Sequence, residues 1–130
     1  MPIAWQQLGY VLVGGAVGSG LRFLVTELMI ARLGRVWPWG TLTVNLVGAF
    51  IAGVLMSIQA SKGASLSLLR PLFIVGLIGG LTTFSSLMVE VVSMMSSAKP
   101  SFAYIYLAVT LISGLMLVVL GAACGRWLIQ

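Results

Sequence analysis

The chain has 130 residues, of which 60% are hydrophobic and 7% charged, with seven Lys and Arg against two Asp and Glu and no His. Charges this sparse cannot cover a soluble surface, and apolar runs of bilayer length fill nearly the whole sequence, so the composition predicts an all-α integral membrane protein with no second domain. The net charge of +5 does not signal nucleic acid, because the basic residues are scattered and the aromatics lie inside apolar runs. The lone Cys124, with no His beside it, excludes an internal disulfide and a Cys/His metal site.

The first span is expected over about 8–30. Residues 1–7 lack the basic flank of a secretory signal, and the run behind them is too long for a signal's apolar core, so it reads as a mature membrane segment. Gly14 and Gly18 form a GxxxG pair that admits a second helix backbone to backbone. Arg22 is the costly residue of this span; it is either paired, drawn into a wet vestibule, or a topology anchor at the membrane edge. Glu27 lies five positions on, a poor match to the helical i+4 spacing.

A connection from Arg32 to Trp39 carries Arg35, Gly34 and two tryptophans and reads as interfacial, with Pro38 suited to the first turn of the next helix. The second span is expected over about 38–59. There Thr41, Asn45, Gly48 and Ala52 recur at i, i+4, i+7 and i+11 and form one narrow polar and small stripe. Asn45 can donate two hydrogen bonds, either to an anion or to a neighbouring helix.

The stretch from Ser57 to Arg70 reads as a water-exposed connector, and Pro71 opens a third span over about 70–97. At the centre of that span stands Gly79-Gly80-Leu81-Thr82-Thr83-Phe84-Ser85-Ser86, the wrong place for polarity. Irregular backbone at that depth is tolerated only inside protein or beside a wet cavity or ion, and a break would free carbonyls of the kind that hold cations. The bland alternative is that the glycines only permit close packing. Beyond them Thr82, Ser86, Glu90, Ser93 and Ser97 fall on one helical face; Glu90 should turn to the bundle interior or a vestibule. The fourth span, about 102–129, repeats the pattern with Tyr106, Thr110 and Gly114, with Ser113 alongside, and ends with Gly121, Gly125, Arg126 and Trp127.

With four spans, one side of the membrane carries Lys62, Arg70 and Arg126 and the other Arg32, Arg35 and Lys99. A tie of three against three, tipped only weakly by Arg22 on the second side, gives no clear orientation; if both orientations insert, an antiparallel, dual-topology homodimer follows as a closed two-fold assembly.

Gly14-Gly15-x-x-Gly18-x-x-x-Arg22, then Trp37-Pro38-Trp39-Gly40-Thr41-Leu42-x-Val44-Asn45-x-x-Gly48, then Gly79-Gly80-Leu81-Thr82-Thr83-Phe84-Ser85 together resemble the CrcB/Fluc fluoride channels. The resemblance implies a multi-pass protein of the bacterial inner membrane that passes fluoride out passively, as an antiparallel dimer with two pores and a structural sodium ion at its centre. It places the sodium on the main-chain carbonyls of Gly79 and Thr82. It makes Asn45, Phe84, Ser85, Tyr106, Thr110 and Ser113 the fluoride path, and Arg22, Thr41, Ser86 and Glu90 vestibule or structural residues. The chain departs from the family pattern at Leu87, where a second Phe is usual, and at Gly114, where a second hydroxyl is common. Two other functions compete: a proton-driven, dual-topology small multidrug-type exporter using Glu90, and a subunit that needs a paralogous partner. No nucleophile with a base and no metal-ligand cluster can be assembled, so an enzyme is not expected.

Overall fold

The computed structural model describes residues 4–62, 68–97 and 99–129. The middle of the expected connector, 63–67, lies outside them. The described chain forms α1 (Trp5–Leu33), α2 (Trp39–Lys62), a π-helical segment (Leu69–Ile78), α3 (Gly79–Leu81), α4 (Phe84–Met95) and α5 (Ser101–Leu128). Among the described residues there is no strand. Four stretches are long and apolar enough to cross a membrane: Trp5–Leu33, Trp39–Ser61, Leu69–Met95 and Ser101–Leu128. Each lies within a few residues of its expected limits.

Local chemistry sets the ends. Gly34 stops α1 by taking φ +79, a conformation open to glycine, while its N–H still reaches the Ile30 carbonyl at 2.9 Å. Pro38 stands just ahead of α2, and its carbonyl accepts the Leu42 N–H at 3.1 Å. The third span begins irregularly. Pro71 has no N–H to give, the winding widens, and at the far end the Gly79 N–H reaches five residues back to Ile74.

Small residues decide which helices meet. A Cβ on Gly14 would collide with the Leu72 carbonyl, and one on Gly18 would collide with the Leu77 carbonyl and lie 2.8 Å from the Leu81 nitrogen. Gly80 answers from the other side, where a Cβ would sit 2.6 Å from the Gly15 carbonyl. The first span therefore lies backbone to backbone on the first half of the third. A second seam joins α2 to α5: Gly53 abuts Val118 and Ala122, while Gly121 and Gly125 abut Phe50 and Val54.

Between these seams Leu42, Leu87, Val91, Ala103 and Tyr106 form a buried cluster from α2, α4 and α5. Trp37 packs on it, its ring edge-on to Tyr106 at 5.6 Å and to Phe102 at 6.1 Å. The indole expected at headgroup level thus also closes one end of the core. Outward, α1 and α5 present Leu12, Val13, Val17, Ile112, Leu115 and Val119. Only 11% of the apolar window of each is buried within one chain, so their outer faces need lipid or another protein.

Candidate functional site

The third span changes conformation at its centre. Thr82 (φ −83, ψ 156) and Thr83 (φ −152, ψ 117) are extended, so helical geometry stops at Leu81 and resumes at Phe84. Thr82 closes the first half, its N–H and its hydroxyl both reaching the Ile78 carbonyl at 2.9 Å. Thr83 opens the second half as an N-cap. Its hydroxyl oxygen accepts the Ser86 N–H at 3.2 Å and lies 3.1 Å from the Ser86 Oγ and 3.3 Å from the Ser85 Oγ.

Asn45 meets this point from α2. Its Oδ1 accepts the Thr83 N–H at 2.7 Å and its Nδ2 donates to the Thr83 carbonyl at 3.1 Å. The amide therefore pairs with both backbone groups of one residue. In an unbroken helix the Thr83 N–H would go to Gly79. Committed to Asn45, it leaves the exposed Gly79 carbonyl outside the ladder. The Thr82 carbonyl, one residue ahead of the cap, also precedes the ladder of α4. Carbonyls at the end of the first half favour a cation, and the N-terminus of α4 favours an anion.

The α2 stripe faces the third span along its length. Thr41 meets Glu90, Asn45 meets Thr83, Gly48 abuts the Thr82 methyl, and Ala52 lines a cleft of about 330 Å³ shared with Asn45, Thr83, Phe84 and Leu87. Phe84 stands 69% exposed at the start of α4, beside exposed Ser85. Its ring is free to meet something beyond this chain.

A second cluster forms around Glu90. Its Oε1 accepts the Thr41 hydroxyl at 2.6 Å and its Oε2 accepts the Tyr106 hydroxyl at 2.7 Å, which ties α2, α4 and α5 at one carboxylate. Tyr106 is wholly buried, and the Thr110 hydroxyl bonds back to the Tyr106 carbonyl at 2.8 Å. Glu90 also lines two clefts, of about 190 and 250 Å³, each of which includes Arg35 and Pro38.

The structure thus gathers Asn45, Thr82, Phe84, Ser85 and Ser86 at the central turn, and Thr41, Glu90, Tyr106 and Thr110 in the second cluster. Arg22 and Ser113, both half-buried, join neither hydrogen-bonded cluster among the described residues, and no salt bridge there links Arg22 to Glu27. Thr82 does not continue the α4 stripe, because the extended pair puts it out of phase with Ser86 and Glu90. Thr83 lies within the expected Gly79–Ser86 stretch, but sequence assigns it no role of its own. Its signal was the N-cap pattern of Thr83 three residues ahead of Ser86, where a hydroxyl commonly takes an orphan N–H.

These features define an all-helical, multi-pass membrane protein with polar groups and freed backbone at the middle of its third span. The chain belongs to the family described as CrcB-like protein, Camphor Resistance (CrcB), whose model matches residues 9–122. Curated relatives carry the name Fluoride-specific ion channel FluC. One from Xanthomonas axonopodis pv. citri is 54% identical over 128 residues, covering 98% of this chain and 96% of the relative. One from Xylella fastidiosa strain M23 is 49% identical over 123 residues, covering 95% and 92%. One from Allorhizobium ampelinum is 42% identical over 119 residues, covering 92% and 95%. The membership and the spans together make this a multi-pass bacterial membrane protein.

Proposed function

We propose that the chain is a fluoride channel of the bacterial inner membrane, working as an antiparallel homodimer with two pores and a structural sodium ion (Na+) at its centre. The observation that carries this reading is the central turn, where Asn45 holds Thr83 and the Gly79 carbonyl is left free at mid-span. Freed backbone and exposed Ser85 cannot face hydrocarbon, so this surface requires a protein cover. A second copy supplies one, and the tied basic residues let it insert upside down.

The donor set fits sodium. Main-chain carbonyls of Gly79 and Thr82, doubled by a two-fold axis, are hard oxygen ligands with no soft atom among them. Bound there, sodium would supply a fixed positive charge beside the break, held by the Gly79 and Thr82 carbonyls.

Fluoride is small and strongly hydrated, so its path must replace water with donors. Asn45 retains one amide N–H beyond the one given to Thr83, and Ser85 and Ser86 offer hydroxyls at the positive end of α4. The exposed Phe84 ring adds a positive edge, which attracts an anion without the deep well of a buried cation and so lets it leave. Glu90, held by two hydroxyls, ties α2, α4 and α5 together.

Proton independence separates this reading from the exporter. In proteoliposomes with equal pH on both sides, fluoride should run down its own gradient at an undiminished rate. A flux that vanishes without a proton gradient, and in Glu90→Gln, would establish the carrier instead.

A further inference from the structure

Asn45 makes two contacts with the backbone of one residue on the third span, 38 positions away, and those contacts decide what that backbone cannot do. A helix heals itself wherever its own groups are free to pair. Here the Thr83 N–H sits in extended backbone and points to Asn45 Oδ1 at 2.7 Å, the shorter of the two bonds. Without that acceptor, the nearest use for a buried N–H is the carbonyl four residues back, which is Gly79. The same rearrangement would carry Thr82 back into helical geometry.

Resting on the reading above, we infer that Asn45 is a positioning residue for the cation site: its side-chain oxygen keeps the Gly79 carbonyl available by taking the Thr83 N–H, while its amide N–H serves the anion. The side chain thereby couples the two ions. Its oxygen acts on the cation side and its remaining N–H on the anion side, so anything that turns the amide changes both. Gly48, one turn on, abuts the Thr82 methyl, so α2 packs directly against the break beside Asn45.

The two functions separate by substitution. Asn45→Asp keeps an acceptor for the Thr83 N–H but loses the donating nitrogen and adds negative charge. Asn45→Ala removes both. The readout is the midpoint for Na+ protection of the purified full-length protein against thermal unfolding, with N-methylglucamine as the replacement cation, and fluoride efflux is measured in parallel.

Asn45→Ala should raise the Na+ midpoint about tenfold or more, the scale of one carbonyl lost to an internal bond. Asn45→Asp should keep the wild-type midpoint within about threefold while fluoride efflux is lost. An unchanged midpoint in Asn45→Ala would overturn the inference and leave the channel reading standing. So would a midpoint lost equally in both variants. If Asn45→Ala does not fold, Asn45→Asp decides: a retained Na+ midpoint without flux supports the coupling, and a lost midpoint refutes it. A wild-type protein indifferent to Na+ would remove the sodium site itself and the inference with it.

Discussion

Two glycines on α1, two residues apart, should respond in opposite directions to the same methyl group. At Gly18 an added Cβ meets backbone, colliding with the Leu77 carbonyl and lying 2.8 Å from the Leu81 nitrogen. Neither atom can rotate aside as a flexible side chain would. The third span must retreat from α1 at the very place where α3 leads into the extended Thr82. Overpacking of this kind costs about 1–3 kcal/mol, and the better helix propensity of Ala returns about 0.5–1 kcal/mol, so Gly18→Ala should lose up to about 2.5 kcal/mol net. At Gly20 nothing lies within 4 Å, and only the propensity gain remains. Gly20→Ala should therefore be neutral or stabilise by up to about 1 kcal/mol. Thermal or denaturant unfolding of the purified protein in one detergent measures both. Equal losses at the two sites would refute the assignment of α1 to the third span through its Gly14–Gly18 face.

Phe84→Ala should leave the fold of the single chain intact, since the ring is 69% exposed within it, yet cut fluoride efflux severely; a large loss of stability with normal flux would place the ring in a structural contact instead. Glu90→Gln leaves one side-chain oxygen where two now accept hydroxyls, so stability should fall by about 1–3 kcal/mol with only a modest change in fluoride efflux. Complete loss of transport in a folded Glu90→Gln would contradict the channel. Leu87 is 3% exposed but borders the cleft of about 330 Å³, so Leu87→Phe should be accommodated and change the rate less than about tenfold. A silent native chain revived by Leu87→Phe would show that the departure at Leu87 is disabling and point to a complementary partner subunit.

Much of this fold was legible because periodicity reports directly on exposure. Four long apolar runs locate the spans, and glycines four apart locate the faces that approach closely. Periodicity does not name the partner face. The α2 stripe was visible as a stripe, but that it meets the third span depends on contacts such as Thr41 with Glu90, 49 residues apart. The i+4 pattern also assumes one continuous helix. Reading it through Thr82 put that residue on the α4 face, whereas the extended pair Thr82–Thr83 resets the phase. The widened winding of Leu69–Ile78 left no mark beyond Pro71, whose missing N–H does not fix how far the irregularity runs. Asn45 likewise reads either as an anion donor or as a clasp to a neighbouring helix: sequence gives the capacity of an amide, and the fold shows half of it spent on Thr83.

The most direct test of the account is anion efflux from liposomes holding the purified protein, comparing fluoride with chloride and using Na+ as the structural cation. Rapid fluoride efflux without chloride efflux, abolished in Asn45→Asp, is the predicted result. Equal passage of both anions, or fluoride efflux that survives Asn45→Asp, would contradict it.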